Sequence, residues 1–140
     1  MITVQNKNEL DNFVINNSNK IILLYFGASW CGPCKSLKAI LKDENKMSKY
    51  DKLAPVYIDI DLEDLEDIVN MYSIQSIPAV YLSVLHDDQV KTIDSVIGFN
   101  WQKVEEIYYN GLKILSDIND NNNSDSNHSD NNEINNSSND

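Results

Sequence analysis

Hydrophobic positions along the first 115 residues follow two rhythms, a period of two that marks strands and steps of three and four that mark helices. Ile2 to Gln5 is short and rich in β-branched residues, and Leu10, Phe13 and Val14 then fall on one face of a helix from about Asn8 to Asn16. Lys20 to Ala28 contains IILLYF, a continuous apolar run of strand length, which predicts a strand covered on both faces at the centre of an α/β sheet. From Pro33 to about Lys49, Leu37, Ile40, Leu41 and Met47 form an apolar stripe with Lys38, Lys42, Glu44 and Lys46 opposite, the signature of a second helix. In Pro55 to Ile60, Val56, Ile58 and Ile60 alternate with Tyr57, Asp59 and Asp61, and a helical stretch from Leu62 to Tyr72 follows, its first turns acidic as a helix N-terminus favours. Ala79 to Leu85 and Val90 to Ile97 flank the polar link His86 to Gln89, which predicts an antiparallel hairpin. Asn100 caps a last helix whose Trp101, Val104, Tyr108, Leu112 and Leu115 recur at helical steps. The order is βαβαβαββα, an α/β class with five strands and four helices.

This pattern ends at Leu115. Residues 116 to 140 hold ten Asn, six Ser, five Asp, one Glu and no Lys or Arg, too little apolar surface to offset the entropy of ordering them. The division expected is a folded domain over 1–115 and a low-complexity, disordered tail over 116–140. Formal net charge is −11 for the chain, from 11 basic and 22 acidic side chains, and −5 for the body without that tail. Such a balance argues against nucleic-acid and anionic-membrane partners, which need clustered positive charge. No apolar run approaches the roughly 20 residues of a membrane span, and Met1 to Leu10 is too polar for a secretory leader.

Candidate chemistry concentrates in Trp30-Cys31-Gly32-Pro33-Cys34-Lys35, after the buried strand and at the opening of a helix. A thiol there meets unpaired backbone N–H groups and the positive end of the helix dipole, which favour thiolate. Cys31 is therefore the expected nucleophile, and Cys34, one turn further in, the thiol that attacks a mixed disulfide formed by Cys31. Pro33 lacks an N–H that a first helical turn would leave unpaired. Two thiolates do not fill a tetrahedral metal site, and neither a third Cys nor a His lies nearby in the sequence. No metal is expected, and His86 and the lone tail His128 read as surface. A bridge closing so short a loop adds little to stability, so its use is exchange.

WCGPCK, placed after a buried strand, resembles the thioredoxin family, and the element order is similar to the thioredoxin fold from about Ile2 to Leu115. The resemblance implies a central mixed five-stranded sheet flanked by four helices, no cofactor, and reduction of disulfides in client proteins. It makes Ile77 and Pro78 a cis-proline loop opposite the dithiol, Gly98 the glycine at the rim of a peptide groove, and Trp30 the aromatic beside the nucleophile. Trp30, Gly32, Pro33, Ile77, Pro78, Gly98 and Phe99 are the groove residues it implies. The Gly-Pro pair resembles that of the reducing members, which implies recharging by a thioredoxin-reductase-like flavoenzyme, and a monomer in a reducing, cytoplasmic compartment is expected. The competing reading is a thioredoxin-like binding or adaptor module with slow or incidental redox activity.

Several positions depart from the family pattern. A buried aspartate six residues before the first cysteine, the acceptor for the second cysteine's proton in the family, is here Tyr25. The neighbouring strand position, counted back from Pro78, falls on Asp59. Asp59 is therefore expected to supply a carboxylate near Cys34, with its pKa raised by burial and the Tyr25 hydroxyl bonded to it. The family's frequent aromatic two residues after the aspartate is Gly27, its helix proline is Ala39, and its hairpin glycine is absent from His86 to Gln89.

Overall fold

A computed structural model describes residues 1–128. Five strands form one mixed sheet in the order β1-β3-β2-β4-β5: β1 (Ile2–Thr3), β2 (Ile21–Gly27), β3 (Leu53–Asp59), β4 (Ala79–His86) and β5 (Gln89–Ile97). β1 and β2 run parallel to β3, while β4 is antiparallel to both β2 and β5. Every residue of β2 is buried. Ile21, Leu23 and Tyr25 enter one apolar layer and Ile22, Leu24 and Phe26 the other, which is why this strand reads as an unbroken apolar run.

Helices cover both faces. α2 (Gly32–Lys42) contributes Cys34, Leu37 and Leu41 to the first layer, and α5 (Trp101–His128) contributes Val104, Ile107, Tyr108 and Leu115. α1 (Lys7–Asn16) and α4 (Glu66–Met71) close the second layer with Leu10, Val14 and Ile68, and a 3-10 turn over Glu63–Leu65 adds Leu65. Asn6 caps α1 through its side-chain oxygen on the Glu9 amide at 2.9 Å, and Asn100 caps α5 on the Lys103 amide at 3.1 Å. After α4, Ser73 turns to φ 52°, and the Ile74 amide reaches back to the Val69 carbonyl, a Schellman closure.

Three boundaries differ from expectation. The single helix predicted over 33–49 breaks at Asp43, whose backbone is extended and whose Oδ1 accepts from the Asn45 and Lys46 amides at 3.0 and 3.2 Å. An aspartate that can cap a new helix competes with continuing the old one, so α3 (Glu44–Met47) makes a fifth helix among the described residues. The hairpin link shrinks to Asp87 and Asp88, both left-handed at φ 54° and 61°, as a two-residue I′ turn demands; these aspartates stand in for the missing glycine. Finally, α5 does not stop at Leu115 but runs to His128. Ile118 packs half-buried against the first layer, and extending an existing helix avoids the nucleation cost. The helix thus passes the compositional boundary at 115, and residues 129–140 of the expected tail lie outside the described residues.

Candidate active site

The two cysteines sit where a buried strand hands over to a helix. β2 ends at Gly27, the Cys31 amide donates to the Ala28 carbonyl at 3.2 Å, and Cys31, still extended at φ −88° and ψ 114°, occupies the N-cap of α2. Its sulfur accepts from the Cys34 amide at 3.3 Å, the position a Ser or Asp oxygen takes at other helix starts. Cys31 and Cys34 are joined as a disulfide with Cα atoms 5.3 Å apart. Both are buried, while Gly32 and Pro33 between them are exposed. A sulfur held on a helix N-terminal amide is stabilised as an anion, so in the dithiol form Cys31 is favoured as thiolate.

The other expected groove residues collect at the same end of the sheet. The Ile77–Pro78 peptide is cis. Pro78 precedes Ala79, whose partners are Phe26 on β2 and Ile97 on β5, so it lies beside the strand end that leads to the dithiol. Its carbonyl accepts from the Gly98 amide at 2.8 Å, and Gly98 has φ +89°, a conformation side-chain-bearing residues rarely adopt. Ile97 and Phe99 on either side are exposed. Trp30 is 67% exposed, yet its indole Nε1 donates to Asp61 Oδ2 at 2.7 Å. Asp61 is a site residue the sequence reading missed: it lies 31 positions away, and its alternation with Ile60 marks only a solvent-facing strand residue.

Tyr25 and Asp59 are not joined as expected. The Tyr25 hydroxyl donates to the Cys34 carbonyl at 2.8 Å, while Asp59 Oδ1 accepts from the Asp61 amide at 2.9 Å. Register gives the reason. Tyr25 pairs with Tyr57 across β2 and β3, and Asp59 pairs with Gly27, so counting back from Pro78 stops two residues short of the neighbour of Tyr25. The Tyr25 and Tyr57 rings lie 5.0 Å apart, and the Lys38 ammonium on α2 stands 4.4 Å from the Tyr57 ring centre.

Burial, with the Tyr57 phenol adding to it, pushes the Tyr25 pKa well above its ordinary value of 10. Burial followed by the Asp59 and Asp61 carboxylates pushes Tyr57 up to about 12. Tyr50, Tyr72 and Tyr108 are raised as well, each chiefly by burial. A raised folded-state pKa gives stability that is complete below the unfolded value near 10 and lost as pH climbs through the folded value. Alkaline titration should therefore hold Tyr57 silent past pH 10 and release it only as pH approaches about 12, followed as phenolate absorbance beside circular dichroism.

The thioredoxin family model matches residues 1–106 of this chain. The chain belongs to the thioredoxin family. A thioredoxin of Coprinus comatus is 33% identical over 110 residues, 78% of this chain and 98% of that protein. That of Mycoplasmoides gallisepticum is 33% identical over 96 residues, 69% of this chain and 86% of the relative. Among solved structures, Trichomonas vaginalis thioredoxin superposes with a TM-score of 0.67 at 22% identity, covering 79% of this chain and 96% of that one, a likeness of fold. The germline-specific thioredoxin Deadhead of Drosophila reaches 0.65 at 26% identity, covering 79% and 98%. The thioredoxin fold expected from the element order is thus observed, and the Cys31–Cys34 pair makes this family member a thiol-disulfide oxidoreductase, a protein-disulfide reductase acting on disulfide clients. Among the described residues, no helix is long and apolar enough to cross a membrane.

Proposed function

We propose that this thioredoxin-family chain works as a monomeric reductant of protein disulfides in a reducing, cytoplasmic compartment, with Cys31 as nucleophile and Cys34 as resolving thiol. The observation that carries the reading is the Cys31 sulfur at the N-cap of α2, on the Cys34 amide at 3.3 Å. In the dithiol form Cys31 is the favoured thiolate. It attacks one sulfur of a client disulfide, the client S–S bond breaks, and the departing client thiolate takes up a proton. Cys34 then loses its proton and attacks the Cys31 sulfur. The intramolecular disulfide forms, the second client thiol leaves, and two electrons have passed to the client.

The groove residues supply recognition. Trp30, Ile97 and Phe99 offer exposed apolar surface beside the dithiol. Extended peptide is a suitable ligand, because this exposed surface lies at a strand end beside the dithiol, where a backbone can align with the sheet. Regeneration requires a two-electron donor that accepts the Cys31–Cys34 disulfide as substrate, and a thioredoxin-reductase-like flavoenzyme fits that chemistry. The test is NADPH consumption in a mixture of this protein, a thioredoxin reductase and insulin. Turnover proportional to the concentration of this protein is expected; no turnover with several reductases, while dithiothreitol still drives insulin reduction, would remove the flavoenzyme from the proposal.

A further inference from the structure

The second half of the exchange asks a buried thiol to lose a proton. Cys34 is 2% exposed, and among the described residues only two side chains hydrogen-bond to it, Cys31 at its amide and Tyr25 at its carbonyl. Tyr25 is itself 1% exposed, and its ring lies over Gly27, where an added Cβ would come within 2.9 Å of Cε1. The space under the first turn of α2 is therefore filled by a phenol. The charged and titratable groups around it are Tyr57 on β3, Asp59 and Asp61 beyond it, and Lys38 of α2 over the Tyr57 ring. Asp59 is engaged with the Asp61 amide at the strand end. A phenol whose hydroxyl is already donated to a carbonyl, and whose ionisation burial opposes, does not accept a proton near neutral pH.

We propose that Tyr25 is a positioning residue for the closing step: it fixes the Cys34 carbonyl and fills the space beneath the helix start, so that Cys34 yields its proton to solvent and to no buried base among the described residues. The Cys34 S–H bond breaks with the proton going to water, and the Cys34 sulfur forms a bond to Cys31. The bond from Cys31 to the client sulfur breaks, and the client thiolate is protonated from solvent. Cys31 and Cys34 end oxidised and the client reduced. The inference rests on the roles proposed above for Cys31 and Cys34.

The two halves separate in a stopped-flow reaction of the reduced full chain with equimolar 5,5′-dithiobis(2-nitrobenzoate). The first thionitrobenzoate release reports attack by Cys31 and the second reports closure by Cys34. Without a buried base, the second rate should rise about tenfold per pH unit up to the Cys34 thiol pKa, with no inflection in the carboxylate range. Tyr25→Phe keeps the ring and removes the tie; it should slow the second release about three- to tenfold without changing the slope, and alter the first less than about twofold. Asp59→Asn should leave the second profile within about twofold of the parent. A carboxylate-range inflection that disappears in Asp59→Asn would overturn the proposal, as would a second release unaltered by Tyr25→Phe. A missing first release would overturn the exchange roles themselves, and this inference with them.

Discussion

Replacing Cys34 by Ser should convert this protein from a turnover reductant into a trap. Cys31 keeps its place at the helix N-terminus, because the N-cap contact uses the backbone amide of residue 34 and not its side chain. It still attacks a client disulfide, but nothing closes the second bond, so a covalent mixed disulfide accumulates. Insulin reduction should fall by more than about a thousandfold, since residues acting as a unit lose nearly all activity when one is removed. Cys31→Ser should lose as much turnover and form no adduct, because Cys34 lies inside the helix and lacks the N-cap position that favours thiolate at Cys31. Mass spectrometry of both variants after exposure to a disulfide peptide, followed by dithiothreitol, separates the two outcomes. An adduct of equal yield on Cys31→Ser would reverse the assignment of roles.

The second large effect is expected at Gly27. An added Cβ there would meet Tyr25 Cε1 at 2.9 Å, the hydroxyl oxygen at 3.0 Å and Cζ at 3.1 Å, inside a layer where Tyr25 is 1% exposed. The ring is held by Tyr57 on one side and by its bond to the Cys34 carbonyl at 2.8 Å, so it has little freedom to yield. Gly27→Ala should destabilise the protein by about 2 kcal/mol, as overpacking of a close-packed core does. Urea denaturation measures it, and a double-mutant cycle tests its origin. In a Tyr25→Val background the penalty of Gly27→Ala should largely vanish, because the clashing ring is gone. An additive cycle would show that the glycine is required for its backbone and not for the ring above it.

That pairing explains two departures at once. The family aspartate position carries Tyr25 and the frequent aromatic position two residues on carries Gly27; both side chains point to one face of β2, and the ring of the first occupies the room left by the second. Both departures were visible in the sequence, but their compensation was not, because a strand pattern gives the face of each residue and not the direction in which a ring leans. The expected bond between Tyr25 and Asp59 is absent for a related reason. Counting back from Pro78 assumes a fixed length for the segment through Glu63–Leu65 and α4, whereas the pairing of Tyr25 with Tyr57 is set by the ladder between β2 and β3.

Most of the architecture was legible because its signals are local. The apolar run of β2, the N-cap Asn100, the alternation in β3 and the Cys-Gly-Pro-Cys helix start each act within a few residues, and all five strands were found. What escaped required long-range or competing interactions. Asp43 breaks a helix that its flanking apolar stripe would continue, Ile118 carries α5 past a compositional boundary by packing on the core, and Asp61 reaches Trp30 across 31 residues. Gly98 is legible only through the resemblance, since its positive φ and its bond to the Pro78 carbonyl depend on the neighbouring loop.

The central claim is that Cys31 and Cys34 form a reducing exchange couple. Equilibrating the protein with defined dithiothreitol buffers and quantifying the oxidised fraction tests it most directly, with insulin reduction assayed on the same sample. A potential near the thioredoxin value of about −270 mV, together with turnover, is the result predicted. A potential at or above about −180 mV, in the range of disulfide isomerases and oxidants, or a reducing potential with no insulin turnover, would contradict it and leave the thioredoxin-like binding module as the better description.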